Sequence, residues 1–115
     1  MTGVVIGASG GIGAALAAAM GPDTVRLGRR TAPPLDLLDE ASIAAAAAHC
    51  GDGLRLVIDA TGWLHDDRFG PEKSWREIDP AHLAQAFALN ATGPALLMKH
   101  FLPRLARDEI RKSVV

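Results

Sequence analysis

Val4-Val5-Ile6-Gly7-Ala8-Ser9-Gly10-Gly11-Ile12-Gly13-Ala14-Ala15-Leu16 is the stretch whose reading decides the fold. A β-branched apolar run over residues 3–6 ends in glycine, which suits a buried parallel strand. A helix follows over residues 11–20, with Ile12, Leu16, Ala19 and Met20 expected on its inward face, and Gly21-Pro22 stops it. Between strand and helix, glycine recurs as G-x-x-x-G-x-G rather than G-x-G-x-x-G. Glycines at such a junction let the backbone turn sharply and let the helix close on the strand. The free N–H groups and partial positive charge of the helix start then favour an anion, here the diphosphate of a dinucleotide. The Ser9 hydroxyl can add a hydrogen bond.

Outward from this turn, strand-like and helix-like segments alternate. Residues 24–27 read as a second strand closed by Gly28-Arg29-Arg30. Leu35-Asp36-Leu37 is a candidate third strand, although only six residues or so separate it from the second and a parallel crossover needs about 12 or more. Asp39 or Ser42 caps an alanine-rich helix over residues 43–49. Residues 54–58 form a strongly apolar fourth strand, and Asp59-Ala60-Thr61-Gly62 is a loop. Residues 63–78 read as an ordered surface loop. Asp79 is an N-cap with Pro80 at the first helical position, and that helix carries Leu83, Ala84 and Phe87 inward. Thr92-Gly93-Pro94 bends or restarts it, and it continues through Leu96, Leu97, His100, Phe101 and Leu105. The polar run of residues 104–112 reads as a turn, and Ser113-Val114-Val115 as the opening of another strand. The order predicts an α/β fold, a doubly wound, Rossmann-like parallel sheet, with about four strands and three to four helices.

Bulk properties narrow the function. A net charge of -1 and a pI near 6.4 give no basic surface for nucleic acid or anionic lipid. No apolar run reaches the ~18 residues of a membrane span, and residues 1–6 lack the features of a signal peptide. The single cysteine, Cys50, has no disulfide partner within the chain, which fits a cytoplasmic location. His49, His65, His82 and His100 are widely spaced and read as helix-surface or loop residues, not metal ligands. At the end of the second strand, an acidic residue would bind ribose hydroxyls, whereas arginine accommodates a 2′-phosphate. Arg29 and Arg30 therefore favour NADP over NAD.

Four landmarks in register, the turn at Gly7, Gly11, Ile12 and Gly13, then Asp36-Leu37, then Asp59-Ala60-Thr61-Gly62, then Asn90 in a broken helix, resemble the short-chain dehydrogenase/reductase family over essentially the whole chain. The resemblance implies that Gly7, Ser9, Gly10, Gly11, Ile12 and Gly13 form the diphosphate loop and that Arg29 selects NADP. It implies that Asp36 accepts the adenine amino hydrogens, with Leu37 flanking the ring. Ala60, Thr61 and Gly62 stand in a loop where the family has Asn-Asn-Ala-Gly, so both asparagines are replaced. Asn90 matches the helix asparagine that keeps a kink and a water open for proton relay. The implied reaction is hydride transfer on a small-molecule carbonyl or alcohol substrate, in a protein that forms homo-oligomers.

The family places a catalytic serine and Tyr-x-x-x-Lys further along, and these 115 residues contain no tyrosine. Residues 1–115 are thus expected to be an NAD(P)-binding domain truncated before that region and not catalytic alone. The alternative is a nucleotide-binding module, or a remnant, without catalysis.

Overall fold

A computed structural model describes residues 2–63, 70 and 72–107. Its elements are β1 (Gly3–Ile6), α1 (Gly11–Met20), β2 (Val25–Leu27), α2 (Glu40–Cys50), β3 (Leu56–Asp59), α3 (Pro80–Phe87) and α4 (Gly93–Phe101). A 3-10 turn, Trp75–Glu77, precedes α3, and a π-helical turn, Ala88–Thr92, joins α3 to α4. The strands form one parallel sheet in the order β2-β1-β3, with Val5 opposite both Arg26 and Ile58.

Alternation along the strands divides the interior in two. Val4 and Ile6 point to one face, where Leu27, Ile43, Leu54, Val57, Leu97 and Phe101 bury against them beneath α2 and α4. Val5 points to the other face and packs with Ala8, Ala17, Met20 and Ile58 beneath α1. The first face holds the large side chains, so it carries most of the hydrophobic stabilisation. The sheet is covered on both sides, which is the doubly wound α/β arrangement.

Among the described residues three strands form rather than four. Leu35-Asp36-Leu37 is not a strand, because the short link from β2 cannot supply a crossover. The segment still serves the core: Leu35 and Leu37 are buried, and the Leu35 N–H donates to the Gly28 carbonyl at 2.8 Å. Residue 54 lies outside β3 and instead bridges in parallel to Leu105. Among the described residues the outer edge of β3 has no strand partner.

Helix boundaries and faces differ from expectation in four places. Asp39 caps α2, which starts at Glu40, while the Ser42 hydroxyl bonds the main chain of Asp36. In α1 the inward face is rotated: Gly13 and Ala17 are buried, and Ile12 and Ala19 are exposed. The cause is Gly13, whose missing side chain lets the helix sit directly on the main chain of Gly7. In α3 the expected core residues Leu83, Ala84 and Phe87 face outward, and His82 is the buried one. Asp79 does cap α3, accepting from the Ala81 N–H at 3.3 Å, with Pro80 at its start. The helix after Gly93 ends at Phe101, and Leu105 reaches the core from beyond a 3-10 turn, Leu102–Arg104.

The expected strand at residues 113–115 lies outside the described residues, as do residues 108–112 of the polar run and residues 64–69 and 71 of the long loop. No helix among the described residues is long and apolar enough to cross a membrane.

Candidate functional site

The C-terminal ends of the three strands open into one cavity of about 460 Å³. At its centre the chain leaves β1 through Gly7, whose φ of +82° is a left-handed conformation that favours glycine. A Cβ on Gly7 would meet the carbonyl carbon of Ala60 at 3.0 Å, so this glycine also seats the turn against the loop after β3. Gly10 starts α1 with no side-chain cap, and its N–H donates to the Gly7 carbonyl at 3.2 Å. The first-turn N–H groups of Gly11, Ile12 and Gly13 have no intrahelical acceptor and carry the positive end of the helix dipole.

At the β2 end, Thr31 folds the loop by bonding both main-chain groups of Gly28 and the Pro33 carbonyl. Arg29 is exposed on the rim of the cavity, and no ion pair engages it among the described residues. Asp36 is held by Ser42, whose hydroxyl accepts from its N–H at 2.9 Å. One Asp36 carboxylate oxygen accepts from the Leu38 N–H at 2.9 Å. The Asp36 segment also leans on α4: a Cβ on Gly93 would meet Leu37 Cβ at 3.0 Å.

At the β3 end, the Asp59 carboxylate closes its own loop. It accepts from the Thr61 N–H at 2.9 Å and from the Thr61 hydroxyl. The Ala60 N–H donates to the Ile6 carbonyl at 2.9 Å, which continues the sheet pairing into this loop. Asn90 sits in the π-helical turn and spends its amide on Trp63. Its Oδ1 accepts from the Trp63 N–H at 2.9 Å, and its Nδ2 donates to the Trp63 carbonyl at 2.5 Å. This clamp fixes the loop after β3 to the helix, and it is where the structure places the expected relay asparagine.

Nine of the expected site residues line the cavity together: Gly7, Ser9, Gly10, Arg29, Asp36, Leu37, Ala60, Thr61 and Gly62. Gly11, Ile12, Gly13 and Asn90 do not line it. Gly13 is buried against the turn, Ile12 is 75% exposed at the helix start, and Asn90 acts through Trp63. Leu38, Trp63, Gln85 and Leu89 also line the cavity and were not anticipated. Gln85 and Leu89 share a helix face at a spacing of four, a signal present in the sequence but outweighed there by the more apolar Leu83–Phe87 pair.

The glycines test whether a ligand fits. A Cβ on Gly11, Gly28 or Gly62 would meet nothing within 4 Å, and none of the three has a positive φ. The fold itself therefore does not require glycine there. Gly28 and Gly62, both on the cavity wall, leave room there for close approach of something other than this chain. An exposed guanidinium, a helix start without a side-chain cap, a carboxylate and apolar Leu37, Leu38 and Leu89 suit a phosphorylated nucleotide with a planar base.

Neither a family model nor a curated protein matches the chain in sequence. Solved structures do. A small-chain dehydrogenase is 25% identical with a TM-score of 0.77, over 93% of this chain and 55% of that one. A small-chain dehydrogenase in complex with NADPH is 24% identical with a TM-score of 0.77, over 93% and 47%. NADPH-bound carbonyl reductase from chicken fatty liver is 22% identical with a TM-score of 0.74, over 90% and 47%. The architecture is thus that of a Rossmann-like α/β fold. More narrowly, it is the fold of the short-chain dehydrogenases/reductases, and the chain spans about half the length of the solved structures it matches.

Proposed function

We propose that these residues form the cofactor-binding part of an NADP(H)-dependent oxidoreductase that moves hydride to or from a small-molecule carbonyl or alcohol. The observation that carries the reading is the cavity at the strand ends, where Gly28 and Gly62 are glycines the fold does not need and Arg29 stands exposed on the rim, with no ion pair among the described residues. Two structures of this fold are described with NADPH bound, which supports the phosphorylated cofactor.

The residues divide the work. Residues 7–13 receive the diphosphate on free backbone N–H groups and the Ser9 hydroxyl. Arg29 pairs with the 2′-phosphate through a charge-assisted hydrogen bond. Asp36 accepts from the adenine amino group, and Leu37 flanks the ring. Ala60, Thr61 and Gly62 let the cofactor pass close to the main chain, and Asn90 holds that loop in place. The bound nicotinamide would supply the hydride chemistry. No tyrosine is present in the chain, so the proposed part of these residues is to bind and orient. The second reading, a nucleotide-binding module without catalysis, rests on the same cavity. A homo-oligomeric state and a cytoplasmic location complete the proposal, with no nucleic acid or membrane as partner.

Calorimetric titration with NADPH and NADH tests the reading. NADPH binds more tightly, and Arg29→Gln weakens it about 10- to 100-fold, the loss of one charge-assisted bond, while leaving NADH nearly unchanged. Equal affinity for both, or no effect of Arg29→Gln, refutes the selection of NADP. Dehydrogenase assays on these 115 residues alone show no turnover, and activity above background would overturn the division of labour.

A further inference from the structure

Trp63 is held by two residues far from it in the sequence, Asn90 and His82. Asn90 bonds both its N–H and its carbonyl. His82, 4% exposed on α3, meets the indole in a T-shaped contact with centroids 5.2 Å apart and planes at 84°. Glu72 in turn lies 3.2 Å from Nδ1 of His82. Ordering a tryptophan, a histidine and a carboxylate around one loop residue has a conformational cost that surface packing does not require. The tryptophan so fixed is half-buried and lines the cavity beside Gly62.

We propose that Trp63 is a preorganised aromatic platform for a planar ring of the bound nucleotide, and that His82 is its positioning residue. The inference rests on the nucleotide reading above and adds a residue to it. A held indole gives a heteroaromatic ring a contact surface without paying for its ordering at the moment of binding. Stacking of a base on an aromatic side chain is sequence-tolerant and strong enough to change affinity by about tenfold or more. His82 belongs to this device because its ring, set nearly perpendicular to the indole, fixes the tilt of the indole, and Glu72 beside Nδ1 fixes the orientation of His82.

The chain has two tryptophans, and Trp75 is 75% exposed under Arg76, so Trp75→Phe leaves Trp63 as the only emitter. Oxidised NADP is the probe, since it does not absorb where tryptophan emits and so reports contact rather than energy transfer. In the Trp75→Phe chain, oxidised NADP quenches Trp63 emission saturably, with the midpoint found by calorimetry. Trp63→Leu weakens calorimetric binding about tenfold. His82→Ala lowers both quenching and affinity, and His82→Phe, which keeps an aromatic edge, restores quenching. Quenching by 2′,5′-ADP assigns the platform to adenine, and quenching by nicotinamide mononucleotide assigns it to the other end. Calorimetric binding with unchanged Trp63 emission, or unchanged affinity in Trp63→Leu, overturns the platform and leaves the nucleotide reading intact. No calorimetric binding of any nucleotide overturns both.

Discussion

Gly11 and Gly13 lie two residues apart in one turn and are glycine for different reasons. A side chain on Gly13 would overlap the Gly7 carbonyl oxygen, so the fold itself needs that position empty. A side chain on Gly11 would meet nothing within 4 Å, and its φ is not positive. Gly13→Ala should therefore cost about 1–3 kcal/mol through forced displacement of the main chain, read by urea denaturation. Gly11→Ala should stabilise the free chain by about 0.5 kcal/mol yet weaken NADPH binding, because the methyl group occupies the diphosphate's approach. A Gly11→Ala chain that binds NADPH as tightly as the parent removes the diphosphate from this turn. The sequence shows both glycines but not their different duties. Glycine spacing reports where a backbone must turn or be approached, and only the packing tells which of the two applies. Trp63 and Leu89 were not legible at this scale, since Leu89 sits in the π-helical turn between α3 and α4 and Trp63 is fixed at the cavity by Asn90 of the same turn.

The elements were legible where local chemistry alone decides them. β1 and α1 fall at the expected residues because a β-branched run, a glycine turn and a Gly-Pro stop all agree. The third strand failed because strand formation depends on a crossover the short link to β2 cannot provide. The face of α3 failed for a tertiary reason: Leu83 and Phe87 have the right spacing, yet α4 packs on the core through Leu97 and Phe101, and the buried residue of α3 is His82. One contact between elements gives a prediction with a sign. Glu40 at the start of α2 receives hydrogen bonds from Lys99 and His100 on α4, at 2.7 and 2.8 Å. These bonds, Lys99 first, hold its carboxyl below the ordinary value of 4.5. A carboxyl with a lowered folded pKa adds stability that is present above pH 4.5 and lost as pH falls through the folded value. Thermal denaturation against pH should therefore show a steeper acid loss in the parent than in Glu40→Gln. Identical slopes would mean that this exposed cluster contributes nothing to holding α2 on α4.

Across the whole molecule, the apolar surface is distributed unevenly. Phe101 and Leu97 are fully buried under one face, so Phe101→Ala should cost about 3–5 kcal/mol. Leu83, Phe87, Met98 and Leu102, on the α3–α4 helix and the turn that follows it, remain 38–66% exposed. If the proposed homo-oligomer uses this surface, Phe87→Ser lowers the association constant in analytical ultracentrifugation by about tenfold and leaves the far-UV spectrum unchanged. Unaltered association after that change places the contact elsewhere. Binding of the diphosphate at the glycine turn of residues 7–13 is tested most directly by backbone amide resonances. Adding NADPH to the isotope-labelled chain should shift the amides of residues 7–13 saturably, together with those of Arg29, Asp36 and residues 60–63. Saturable shifts that spare residues 7–13, or no shifts at all, would contradict the account.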